Sequence, residues 1–218
     1  MKHTQRIKLT SSILALFICG ALVAPSSAQN PNPPESVALK TAQTAASLRD
    51  LWIGHGFWVR EVAAKTLIGD SAAVKNAENQ AAANAKQIAA SIEPFYGKAA
   101  SEKLFGLLAG HYSGVKQYLE AAGKGNPAKQ EAAQKTMVAN AEEIASFLSG
   151  ANPHLPLDAL RGMLLAHGGH HIQQIQQLKS KEYAKEAQTW EAMKNHMYAI
   201  ADALAAALAR QFPEKFSA

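Results

Sequence analysis

From Val37 onward apolar residues recur at intervals of three and four, and nowhere does the chain alternate apolar with polar as a half-buried strand would. That pattern predicts an all-α chain. Turn signals divide it at Gly69-Asp70, Pro94 to Gly97, Gly123 to Pro127, and Gly150 to Pro156 with Asn152-Pro153 inside. A further break is expected in the polar stretch Lys179 to Lys185, which interrupts an apolar stripe running from Leu157 towards Phe212. Six helices result.

The helical segments are self-similar. Ala83-Asn84-Ala85-x-x-Ile88-Ala89 returns as Ala139-Asn140-Ala141-x-x-Ile144-Ala145, an offset of 56. The same offset carries Leu104, Gly106, Leu108 and His111 onto Leu160, Gly162, Leu164 and His167; taken backwards, it maps His111 onto His55 and Val115 onto Val59. From Asn140 it leads forward to His196. Self-similarity at a fixed period marks a repeated supersecondary unit. The expected architecture is a six-helix up-and-down bundle of three antiparallel helical hairpins, occupying residues 37–218. Each hairpin would carry a histidine on its first helix (His55, His111, His167) and Asn84, Asn140 or His196 on its second.

Both helices of a hairpin rise about 1.5 Å per residue, so residues equidistant from the turn lie at one height. The pairs His55 and Asn84, His111 and Asn140, and His167 and His196 satisfy this condition about their turns. They are expected to face inward, since His55 shares a stripe with Leu48, Trp52, Val59 and Val62, and His111 with Leu104, Leu108, Val115 and Tyr118. A buried imidazole or amide left unpaired costs about 1–3 kcal/mol, so such a layer calls for mutual hydrogen bonds, water or a ligand.

Neutral imidazole is the commonest metal ligand, and inward positions on bundle helices are its usual mounting. His55, His111, His167 and His196 are therefore the candidate ligands, with Asn84, Asn140, His170 and His171 as the supporting polar layer. Glycines beside the histidines (Gly54, Gly56, Gly110, Gly168, Gly169) each cost about 1 kcal/mol relative to alanine inside a helix, which points to close helix approach or room for a ligand. Imidazoles without carboxylates suit Cu(II), Zn(II) or Ni(II), copper and zinc foremost, better than Mg, Ca or Mn. A bis-histidine haem matches the donors but needs a large apolar cavity. No Glu-x-x-His pair lies on the inner stripe, so a di-iron carboxylate centre is poorly supported. Three other readings stand beside the metal or haem site: a polar layer that only sets helix register, an unrelated small ligand, and a metalloenzyme using an open coordination position.

Composition narrows the setting. With 48% hydrophobic and 18% charged residues in 218, the chain has core to spare. A basic start (Lys2, Arg6, Lys8), an apolar run from Ile13 to Val23 and small residues up to Ala28 read as a signal peptide over residues 1–28, cleaved after Ala28, for a secreted or periplasmic protein. The apolar run is too short to span a bilayer. Residues 29–36 form a proline-rich linker. Removing the leader takes away the single cysteine, Cys19, and with it thiolate ligands and disulfides; 19 basic residues then face 17 acidic ones, too even a balance for a nucleic-acid stripe. There is no phosphate loop, nucleophile elbow or inward carboxylate pair, so no catalytic residue is assigned. Arg60-Glu61 and Glu142-Glu143 read as helix-surface charge, and His154 as a solvated loop residue.

Four strings carry a resemblance: Leu51-Trp52-x-x-His55-x-x-Trp58-x-Arg60, Pro94-Phe95-Tyr96-Gly97, Asn140-Ala141-x-Glu143-Ile144-Ala145-x-Phe147-Leu148-Ser149, and the tail Gln211-Phe212-Pro213-Glu214-Lys215-Phe216. Together they resemble a bacterial family of small exported helical proteins without an assigned activity, over nearly the whole chain after the leader. The resemblance implies His or Asn at positions 55, 84, 111, 140, 167 and 196, with no counterpart for His170 and His171. It implies export, and no particular ligand.

Overall fold

A computed structural model describes residues 34–217. The signal-peptide expectation and most of the linker fall outside these residues. Among the described residues the chain is all-helical, as the apolar spacing predicts: α1 (Glu35–Ile68), α2 (Ser71–Ser91), α3 (Glu93–Tyr96), α4 (Lys98–Gly123), α5 (Pro127–Ala151), α6 (Leu157–Lys179), α7 (Tyr183–Gln211) and α8 (Pro213–Phe216). α1 starts two residues inside the expected linker, with Pro34 in the cap position, where its missing N–H costs nothing, and Glu35 against the positive end of the helix dipole.

Local chemistry explains where the helices stop. Gly69 takes a left-handed φ of 87° and donates its N–H to the last carbonyls of α1, while the Asp70 carboxylate accepts from the Ala73 N–H to open α2. Asn126 caps α5 in the same way through the Lys129 N–H, with Pro127 in the first helical position. The break between α6 and α7 is residues 180–182, where Lys181 adopts φ 57° without being glycine. No Gly or Pro announces that turn. Pro94 and Pro213 instead start the single turns α3 and α8.

α1, α4 and α6 contact one another, and the grooves between them are filled from outside: α2 packs on α1 and α4, α5 on α4 and α6, and α7 on α6 and α1. Of the six long helices, three outer ones thus surround three inner ones. The inner faces are buried at Leu48, Trp52, His55, Val59 and Val62 on α1, at Leu104, Leu108, His111, Val115 and Tyr118 on α4, and at Leu160, Leu164, His167, His171 and Gln174 on α6. Steps of four and three keep one narrow stripe in contact, as in coiled-coil packing, and each set lies 56 residues after the last. Among these inner-face positions the polar residues are the four histidines and Gln174.

Three side chains from the outer helices bond to backbone carbonyls of the inner ones. The Asn84 amide donates to the Leu51 carbonyl at 3.0 Å, the Asn140 amide to Leu107 at 3.1 Å, and His196 Nε2 to Met163 at 2.8 Å, each pair 33 residues apart. A helical carbonyl has a second lone pair free for such a bond. The contact fixes the height of the outer helix on the inner one. Glycine makes room for it: a Cβ built on Gly54 or Gly110 would stand 2.9 Å from the amide nitrogen of Asn84 or Asn140. At the matching position of α6, where the clamp is the longer His196, Ala166 is tolerated.

Two alanine substitutions in α4 separate clamp from propensity. A Cβ at exposed Gly106 meets nothing within 4 Å, so Gly106→Ala is expected to raise stability by about 0.5–1 kcal/mol. Gly110→Ala should lower it by about 1–3 kcal/mol, because Asn140 must abandon its buried bond. Urea melts measure both; equal gains would mean that the clamp contributes nothing.

Candidate metal centre

His55 on α1, His111 on α4, and His167 and His171 on α6 project from the inner faces into one place. They are 4%, 5%, 2% and 2% exposed, and one ring nitrogen from each lies within 4.8 Å of those of the other three. His167 Nε2 stands 3.3 Å from His55 Nε2 and 3.1 Å from His171 Nε2. The ring centroids of the four are 4.4 to 5.8 Å apart. Metal–imidazole bonds of about 2.0–2.1 Å place the nitrogens of a tetrahedral site about 3.3 Å apart. Two separations already match, and the others are within 4.8 Å.

No carboxylate belongs to the cluster among the described residues. Burial pushes His55 down to about 3, the neighbouring His111 adding to the effect, and pushes His111 down to about 4. His167 and His171 lie well below the usual histidine range, by burial first and by the facing imidazoles second. All four are therefore neutral, each with one N–H and one lone pair. The lone pairs are what a metal needs. Two buried nitrogens, His111 Nε2 and His167 Nδ1, have no hydrogen-bond partner. A ligated metal would satisfy the lone pair of His111 Nε2, an orphan that otherwise costs about 1–3 kcal/mol; His167 faces its neighbours through Nε2, so its Nδ1 stays unpaired with or without a metal.

The expected ligands divide. His55, His111 and His167 meet as the helical stripes predict, and the fourth partner is His171, expected only as support. His196 is not in the cluster: it is half-buried on the outer helix α7, its Nε2 is spent on the Met163 carbonyl, and its ring lies 5.5 Å from half-buried His170. Asn84 and Asn140 are likewise turned onto backbone rather than towards the axis. His154 is exposed. His171 did have a signal in the sequence, because i and i+4 share a helix face, but the positions at the 56-residue spacing are Val59 and Val115, so a search at that spacing conceals it.

Two further expectations change. Arg60, read as surface charge, forms a two-pronged pair with buried Glu186 of α7, both bonds 2.6 Å, and the Gln174 amide donates to the same carboxylate at 3.1 Å. This group ties α1, α6 and α7 together one turn beyond His171. The space beside the cluster is about 10 Å³, bounded by Trp52, Leu108 and Leu164 on one side and by His55, His111 and His167. That is room for about one water or ion. A haem does not fit there.

Compared with family models, curated proteins and solved structures, the chain matches none.

Depressed histidines make stability depend on pH in a definite direction. In the unfolded chain a histidine titrates near about 6.5, so above that value neither state carries the proton and the folded state keeps its full stability. As pH falls from about 6.5 towards the folded values of about 4 for His111 and about 3 for His55, the unfolded chain takes up protons that the fold refuses. Chelator-treated protein should therefore lose stability between pH 7 and pH 5, at up to about 1.4 kcal/mol per pH unit for each histidine. Urea midpoints across that range measure it. A flat profile would mean that these rings protonate as freely inside the fold as outside.

Proposed function

We propose that this is an exported bundle protein that holds one transition-metal ion, copper or zinc ahead of nickel, through His55, His111, His167 and His171. The observation that carries the reading is the convergence of four buried, neutral imidazoles, with His111 Nε2 unpartnered and no carboxylate among them. Donors of this type suit borderline transition metals rather than calcium or magnesium. A layer serving helix register alone is the weaker reading, since the Asn84, Asn140 and His196 bonds already do that work away from the cluster. Export rests on the leader-like pattern of residues 1–28. No described helix is long and apolar enough to cross a membrane. We read α1 with α2, α4 with α5, and α6 with α7 as three copies of one hairpin, supported by clamps of identical spacing and by buried positions that coincide at the 56-residue offset.

Copper or zinc added to chelator-stripped protein should raise Tm, an ion at a hundred times its Kd contributing about 2.7 kcal/mol. His167→Ala, which removes the ring closest to both neighbours, should abolish the shift; His196→Ala should keep it. A shift that survives His167→Ala would place the ion elsewhere and overturn the assignment.

A further inference from the structure

We infer that the metal held by this cluster keeps one coordination position, on the His111 side, that a small uncharged ligand can occupy by entering through a groove between α5 and α6. The inference rests on the metal reading above. The four histidines are not equivalent. His167 Nε2 stands 3.3 Å from His55 Nε2 and 3.1 Å from His171 Nε2, whereas His111 Nε2 is buried and has no hydrogen-bond partner. His111 is thus the least engaged of the four, and the position beside it is the one that a further ligand can share or take, as the fourth position is exchanged in metal sites with three protein ligands.

A groove of about 240 Å³ lies against that fourth ring. His111 forms part of its lining and also part of the lining of the 10 Å³ cavity beside His55 and His167, so groove and cluster meet at this side chain. The walls come from Met137 and Val138 of α5 and from Leu164, Gly168 and Gly169 of α6. Gly169 is exposed and a Cβ there would meet nothing within 4 Å, so open space borders the backbone of α6 at this point. No Lys, Arg, Asp or Glu lines the groove. An ionic ligand would have to shed its hydration against walls that offer only Gln134 and His111 as polar side chains and no opposite charge, and an uncharged one would not.

Charge points to the same class of ligand. With four neutral donors and no carboxylate, a bound cation retains its full charge in a low-dielectric interior, and the cost of burying charge grows with its square. Monovalent copper is the least opposed. Cu(I) takes neutral diatomic molecules as ligands, and carbon monoxide is the probe of that chemistry that leaves the metal's oxidation state unchanged.

The full chain, stripped with chelator and loaded anaerobically with Cu(I), is exposed to carbon monoxide; bound copper is measured together with the infrared C–O stretch. Copper should be retained and a carbonyl band should appear. Gly169→Phe from one wall and Val138→Trp from the other should each slow carbonyl formation per bound copper by about tenfold or more. Retained copper with no carbonyl band would show a closed four-coordinate site and overturn the inference while leaving the metal reading intact. A carbonyl that forms at the wild-type rate in both variants would overturn the groove as the route. Failure to retain copper would overturn the metal reading and this inference with it.

Discussion

Four imidazoles share the axis of an apolar bundle without a single acid to balance a proton, and the surrounding structure is consistent with keeping them neutral. One turn above, Trp52, Leu108 and Leu164 close the layer; one turn below stand Val59 and Val115, with His171 in the third place. Desolvation rather than mutual repulsion leads the depression of all four pKa values. A carboxylate at this level would have made the histidines charged and the site harder; its absence leaves them soft, uncharged donors.

Polar residues in this core do two separate kinds of work. Asn84, Asn140 and His196 belong to outer helices and spend their hydrogen bonds on carbonyls of their own hairpin, so they define how each pair of helices sits. The histidines belong to the inner helices α1, α4 and α6 and meet where those three contact one another. Glycine serves the first task at positions 54 and 110, where an added methyl group would displace the clamp. The Arg60–Glu186–Gln174 group adds a third polar level, which binds the first helix to the last hairpin.

The helical class and most helix ends were legible in the chain, because three-and-four spacing and Gly, Pro, Asp and Asn at the turns act locally. The turn at Lys181 was not sharply marked, since a lysine holds the left-handed conformation there. The site was legible in part. Equal distance from a hairpin turn gives a residue's height but not the direction in which it points, which is why Asn84, Asn140 and His196 share the expected level and yet face a neighbouring backbone. The 56-residue spacing emphasised residues that recur at it and so passed over His171, since Val59 and Val115 stand at the corresponding positions of α1 and α4. The Glu186 pair was hidden for another reason: nothing local distinguishes a carboxylate buried against a distant arginine from one on the surface.

The provenance of the cluster's members also bears on how the molecule can come apart. Helical hairpins make mostly local contacts, and units of that kind can open singly, each with its own free energy below that of global unfolding. Here the donors come from α1, α4 and α6, so every hairpin contributes at least one. An ion gripping all four would make the opening of any hairpin cost a coordination bond, lifting partial openings towards the global value. In a chain whose single cysteine, Cys19, permits no internal disulfide, cooperativity between the hairpins would then be set by the ion, and amide hydrogen exchange in all three would slow together on its binding.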